Sequence, residues 1–432
     1  MKYLRFYMLL LCMQAVPVHA LLDIEITRSA DTALPIAIVP FGWEDKKTAV
    51  PADIAGIVTA DLARTGQFRP LPPADMLEQP HSGKEIHFEN WRITGIGNLV
   101  VGALRPARGG MYTVDFQLFD VFKGRQAVGH SFTVAAKDLR GVAHTISDLV
   151  YEAITGERGA FNTRIAYVAA TRKAGVLEFR LEVSDMDGHN ARTVMRSPKP
   201  IMSPSWAADG RYLAYVSFEN RRSEVFVHSV FDGKREQVAA FEGINAAPVW
   251  SPDGRLLAVT LSRGGNADIY LLELATKKLT QITHNSAIDT EPAWMPDGKS
   301  LVFTSGRSGS PQIYRMVLGE KPQRLTFEGD YNASPAVAPD GRSIALVHRN
   351  RGNYSIALLD LKSGLLRVLT DGRLDETPSF APNGSMLLYA SQEQGGVLAA
   401  VSIDGRTRQR LAFHEGDIRE PTWAPFPDGS RP

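Results

Sequence analysis

The sequence predicts a small α/β N-terminal domain followed by an all-β six-bladed propeller, closed by the C-terminal strand. Two observations carry the propeller. A phrase of the Pro-x-Trp…Asp-Gly type recurs six times, with variations, at a nearly constant interval, and each copy but the last is followed by alternating apolar and polar residues with a turn signal at every junction. A constant period of this size marks an array of like supersecondary units. A third observation carries the α/β part: before the first copy the period is absent, and strand-like and helix-like spacings are mixed.

The first twenty residues read as a cleaved secretory signal. Lys2 and Arg5 precede an apolar run from Phe6 to about Val16, and Val18-His19-Ala20 offers small residues at the cleavage position. The run is too short for a comfortable membrane span. The chain's one cysteine, Cys12, follows the bulky Leu11 and only eleven residues, which argues against a lipidated leader. After cleavage no thiol would remain for a disulfide or a cysteine metal site. No later stretch approaches eighteen apolar residues, so the product is expected to be exported without spanning a membrane. A formal net charge of +1, without long runs of like charge, gives no reason to expect nucleic-acid binding.

Residues 21–158 are expected as the N-terminal domain. "LLDIEIT" alternates, with Leu22, Ile24 and Ile26 on one face, and "PIAIVPF" is a second strand. "PADIAGIVTADLARTG" has helical spacing through Ile54, Ile57, Val58 and Leu62, with Gly66 as its stop. "NLVVGALRP", "YTVDFQLFDV" and "QAVGHSFTVA" read as strands. "KDLRGVAHTISDLVYEAITGE" reads as a helix with apolar Leu139, Val142, Ile146, Leu149, Val150 and Ile154. The junction near Gly156–Asn162 is short, so the two domains are not expected to swing widely.

Residues 162–425 are expected as the propeller and 426–432 as a tail. The repeated phrases begin at Pro204, Pro248, Pro292, Pro335, Pro378 and Pro421, spaced by 43 or 44 residues. Asp-Gly supplies the positive φ of a tight hairpin turn. Strands such as "RLLAVTLS", "ADIYLLEL" and "LTQIT" follow, and Pro-x-Trp itself makes the fourth strand of a blade. The sixth copy has no room for partners after it, while three strands ("RIAYVAATR", "LEFRLEVSD", "ARTVMRS") stand unassigned before the first. The C-terminal strand around Thr422–Ala424 is therefore expected to complete the blade begun at Arg164–Ser197, which leaves no open sheet edge in the ring. The recurring Trp206, Trp250, Trp294 and Trp423, replaced by Val337 and Phe380 in two copies, are expected to pack between blades.

Catalytic patterns are missing. "AWMPDGKS" ends like a phosphate loop, but Ala293 stands where its first glycine should be and a strand follows. "GRSGS" fails the nucleophile-elbow pattern at Ser310. The ten histidines are scattered. No enzyme and no cofactor are expected. The residues leading into each Pro-x-Trp should gather at one mouth of the channel, where Asp289, Glu291, Asp375, Glu376 and Glu420 make the rim acidic and Arg419 is the exception. Three readings stand: solvated loop charge, a partner-docking rim, or a docking rim whose carboxylates also hold a hard cation such as Ca²⁺.

The exported leader, the α/β domain, the ring of Pro-x-Trp repeats and the stretches "PIAIVPF", "TDGRLDETPSFAPNG" and "NTRIAYV" together resemble the TolB family, the periplasmic component of the Tol–Pal system. The resemblance covers essentially the whole mature chain. It implies a periplasmic adaptor that binds the lipoprotein Pal at the propeller mouth and TolA through the mature N-terminal segment. TolQ and TolR would be reached indirectly, in support of outer-membrane integrity and of invagination at division. It places Pal against Ile244, Asn245, Ala247, Asp289, Thr290 and Glu291 first, with Asn332, Asp375, Glu376, Arg419 and Glu420 around them. It places TolA against Leu21, Leu22, Asp23, Ile24, Glu25, Ile26, Thr27 and Arg28. An alternating strand at a free terminus suits pairing with a partner's sheet edge. "EGIN", Glu242–Asn245, departs from the family in lacking the histidine often found there. A ligand-binding or peptidase-associated periplasmic propeller stays open as the alternative.

Overall fold

The computed structural model describes residues 33–427 apart from 46, 174, 393–394 and 412–415. The leader, the TolA-facing segment Leu21–Arg28 and the tail beyond 427 lie outside the described residues.

The N-terminal domain contains β1 (Leu34–Ile38), β2 (Gly42–Trp43), α1 (Ile54–Arg64), β3 (Phe68–Pro70), α2 (Phe88–Ile93), β4 (Asn98–Pro106), β5 (Met111–Asp120), β6 (Arg125–Ala135) and α3 (Leu139–Thr155). The sheet runs β3-β1-β4-β5-β6, with β2 paired to β4. β1 lies parallel to β3 and β4, and the later pairs are antiparallel. Asp53 caps α1 by accepting the Gly56 N–H at 2.9 Å, and α1 gives way to Gly66 at φ 68°, the expected stop. A Cβ on Gly66 would also collide with Thr407 of the propeller, so this glycine serves the domain contact as well as the turn. On α3 the stripe Leu139, Val142, Ile146 and Val150 is buried, while Leu149 and Ile154 are half-buried. Both long helices cover one face of the sheet; α2 and residues 71–97 cover the other.

Six four-stranded antiparallel sheets follow, as the period predicts. Their innermost strands are Ile201–Trp206, Asn245–Trp250, Asp289–Trp294, Asn332–Val337, Asp375–Phe380 and Asp417–Trp423, defining blades 1 to 6. Blade 6 is composite: Asp417–Trp423 pairs with β7 (Arg164–Lys173), which continues into β8 (Val176–Asp185) and β9 (Arg192–Ser197). Trp423 stands opposite Ile165 in that ladder, so the two ends of the propeller close one sheet.

The repeated tryptophans join neighbouring blades. The Trp250 indole N–H donates to the Ser205 carbonyl of blade 1 at 3.2 Å, and Trp206 donates to Thr422 of blade 6 at 3.3 Å. Both bonds land on the same position of the preceding innermost strand, whereas the Trp294 N–H has no such partner and Trp423 donates within the domain junction.

One hydrophobic cluster runs through the domain junction, from Ile146 and Val150 of α3 to Ile165, Met186, Leu388, Trp423 and Phe426. Phe426, the first residue of the expected tail, is core, and the Arg158 guanidinium stacks on it at 3.8 Å. Asn383 donates to the Arg158 carbonyl at 2.9 Å, and Trp423 donates to the Thr163 hydroxyl at 2.8 Å. The N-terminal domain thus sits on the Asp-Gly-turn end of blades 5 and 6. Among the described residues, no helix is long and apolar enough to cross a membrane.

Candidate partner-docking site at the propeller mouth

The residues that lead into each Pro-x-Trp lie at the end of the propeller opposite the N-terminal domain. All six innermost strands make the same irregular step there. The residue before the proline has positive φ: Ser203 50°, Ala247 47°, Glu291 52°, Ser334 51°, Thr377 50° and Glu420 53°. Each strand shifts register at that point. This conformation is uncommon for any residue but glycine, and more so for β-branched Thr377; each instance costs about 1–3 kcal/mol. The return is visible where the position is glutamate. Glu291 accepts the Ser334 N–H and hydroxyl of the next blade, both at 2.8 Å, and the Thr304 hydroxyl at 2.7 Å. Glu420 accepts the Ser203 N–H at 3.3 Å across the ring closure. The bulge turns a backbone donor sideways, and the glutamate of the preceding blade takes it.

The step also sorts the eleven rim candidates into layers. Ile244 is 51% exposed and Arg419 is exposed, while Ala247, Thr290, Glu291, Glu376 and Glu420 are half-buried around the channel. Asn245, Asp289, Asn332 and Asp375, expected on the rim, are buried. They stand three residues before the proline, where the strand faces into its blade. Asn245 exchanges hydrogen bonds with the Phe241 N–H (2.9 Å) and carbonyl (2.7 Å). Asp289 is held by Arg307 at 2.7 Å. Asn332 donates to Gln312 at 2.9 Å and to the Glu328 carbonyl at 2.8 Å. Their side chains brace the mouth from below instead of facing outward.

Of one further row the sequence reading had only Ile244. Four residues before each proline stand Pro200, Ile244, Ile288, Tyr331, Leu374 and Asp417, five of them apolar. Ile288 is 58% exposed, and nearby Met202 and Phe327 are exposed at 41% and 74%. Aligning the repeats on the proline and reading one residue further back reveals this row. The mouth is therefore an apolar collar above a ring of carboxylates.

The carboxylates repel one another. Burial, with Glu291 and Glu376 facing it, pushes the Glu420 carboxyl up to about 7. Glu376 is also raised by burial, against the pull of Arg419 and with Asp375, Asp417 and Glu291 adding to the rise. Arg419 is itself bonded to Asp417 at 2.8 Å. Among the described residues Arg419 is the cation that acts on both Glu376 and Glu420, and the negative charge it leaves over suits a positively charged group on a partner. Among the described residues, the acidic groups brought close enough to share a cation are not these; Asp61, His144 and Asp187 form the one such group, at the domain junction.

Residues 22–127 match the TolB amino-terminal domain and residues 151–427 the TolB beta propeller domain. This chain belongs to the TolB family. The Tol-Pal system protein TolB of Xanthomonas oryzae pv. oryzae is 48% identical over 97% of this chain and 96% of its own length. The same-named protein of Thioalkalivibrio sulfidiphilus is 51% identical, but over 57% of this chain and only 56% of its own length. The crystal structure of TolB from Acinetobacter baumannii superposes with a TM-score of 0.86 at 40% identity, covering 94% of this chain and all of that one. Membership supports the two-domain architecture and the Tol–Pal assignment.

Proposed function

We propose that this TolB-family chain is a non-enzymatic periplasmic adaptor of the Tol–Pal system. Pal docks on the propeller mouth, and TolA is bound by the mature N-terminal segment Leu21–Arg28. TolQ and TolR are reached only through TolA. The adaptor supports outer-membrane integrity and its invagination at division.

The observation that carries this reading is the free mouth. The N-terminal domain occupies the opposite end of blades 5 and 6, and among the described residues nothing covers the collar of Ile244 and Ile288 or the carboxylates beneath it. Clustered exposed apolar side chains mark interaction sites, and the excess charge beneath them favours a partner of opposite sign. The leading contacts are Ile244, Ala247, Thr290 and Glu291, with Glu376, Arg419 and Glu420 around them.

A photo-crosslinking amino acid placed at Ile288 should capture purified Pal, and one placed at Asp209, in an Asp-Gly turn at the other end, should not. Capture from position 209 alone would place Pal on the wrong end and sink the reading. Deleting Leu21–Arg28 should abolish TolA capture; retained capture would move that contact elsewhere.

A further inference from the structure

The domain junction buries a second set of charges that the docking reading does not use. Asp61 on α1 is 0% exposed, His144 on α3 is 2%, and Asp187, in the turn after β8, is 5%. Asp61 accepts from His144 Nδ1 at 2.7 Å, from Ser147 Oγ at 2.8 Å and from Arg64 at 3.1 Å. The other imidazole nitrogen, Nε2, lies 3.7 Å from Asp187, whose carboxylate is also bound by Arg140 of α3. Arg64 reaches on to the Met186 sulfur at 3.1 Å. His144 thus stands between a carboxylate of its own domain and a carboxylate of blade 6.

Two other readings of this cluster fail on geometry. Serine, histidine and aspartate are the types of a hydrolytic triad, but Ser147 and His144 both donate to Asp61, and Ser147 is 0% exposed. That leaves no activated nucleophile. A cation in the cluster would face Arg64 on Asp61 and Arg140 on Asp187, so both carboxylates are already compensated.

The charge balance points to the imidazole. Asp61, Asp185 and Asp187 face Arg64, Arg140 and His144, with Asp185 lying 3.7 Å from Arg140. Arg164 also faces Asp185, so the proton on His144 bears on the two carboxylates that flank the imidazole, Asp61 and Asp187. Buried charges are tolerated when paired and are costly when one partner is lost. We propose that His144 is a proton-operated clasp between the domains: as imidazolium it ties Asp61 to Asp187, and loss of its proton releases blade 6 from the N-terminal domain. Burial lowers the His144 pKa, but Asp61 and Asp187 outweigh it and the net shift is upward. Asp148, one turn along α3, accepts the Phe161 and Asn162 N–H groups of the junction and is pushed up to about 7 by burial. His189 is exposed and bonds Asp187 from the solvent side.

The direction follows from linkage. A histidine raised above its unfolded value contributes stability that is complete below about pH 6.5 and is lost as pH rises through the folded value. Scanning calorimetry of the intact chain should show one merged transition at pH 6 and two separate ones at pH 9. Asp187→Asn, which leaves the core of the N-terminal domain untouched, should separate the transitions at both pH values and lower the proton affinity of His144 by about tenfold, read from its imidazole NMR titration. His144→Gln should behave likewise in calorimetry. Asp148→Asn should reduce the pH dependence without removing it, because the Asp148 carboxyl also titrates near 7. A single transition throughout in wild type, separate transitions already at pH 6, or a pH dependence removed by Asp148→Asn and kept by His144→Gln would each overturn the proposal.

Discussion

Two clusters of carboxylates lie at opposite ends of the propeller, and they are wired differently. At the junction, Asp61 and Asp187 each have a guanidinium, and His144 stands between them. At the mouth, among the described residues, Glu291, Glu376 and Glu420 rely on backbone N–H groups, hydroxyls and Arg419. A cluster closed on itself acts as glue, whereas a cluster left with excess charge is completed by something from outside. Both use buried acids, so burial alone does not distinguish structure from docking; the count of compensating charges does.

The sharpest way to break this contrast is Asp61→Ala. It strands Arg64 and His144 without their carboxylate, and losing one partner of a buried pair costs about 3–5 kcal/mol. Urea unfolding at pH 7 should show a loss of that order. A loss below about 1 kcal/mol would mean that the junction is solvated and not a closed network.

Glu420→Gln probes the mouth. In the folded chain its carboxyl is raised to about 7. Its contribution to stability is therefore full below its unfolded value and is lost as pH rises through about 7. One proton corresponds to about 1.4 kcal/mol per pH unit across that window. The wild type should lose stability between pH 5 and 8, and Glu420→Gln should flatten part of that slope. Unchanged slopes would show that the mouth carboxylates are screened from one another.

Trp250→Phe tests the blade staple with a change the chain has already made once, since Phe380 occupies the equivalent place in blade 5. It removes the N–H bonded to the Ser205 carbonyl, a loss of about 1 kcal/mol. A cost several times larger, measured in the same unfolding experiment, would show that ring filling rather than the hydrogen bond sets the period.

The propeller was legible in the sequence because its parts repeat. The prolines give the period, Asp-Gly gives the turns, and the unpartnered strands at both ends give the closure between Asp417–Trp423 and β7. The segment from Leu71 to Gly97 was not, because a six-residue helix and short turns carry no periodicity. The positive φ before each proline was hidden by the usual preference of that position for extended backbone. The burial of Asn245, Asp289, Asn332 and Asp375 follows from that unforeseen step. The junction cluster joins residues 83 and 122 apart, a pairing no local pattern reports.

The smallest expected effect on stability is also the most telling about function. Ile244→Asp and Ile288→Asp change side chains that are more than half exposed and lie in the loops of the collar. Surface substitutions away from caps and networks shift stability by about 0.5 kcal/mol or less. Covering an isoleucine in a complex contributes about 1.5–3 kcal/mol, so each substitution should weaken Pal binding by roughly tenfold to a hundredfold, measured by titration calorimetry. The loss is that of an apolar contact, so raising the salt concentration should not recover it. A pair of variants that stay folded and keep Pal affinity would leave the collar without a role. The open end of the propeller would then be merely the end not covered by the N-terminal domain.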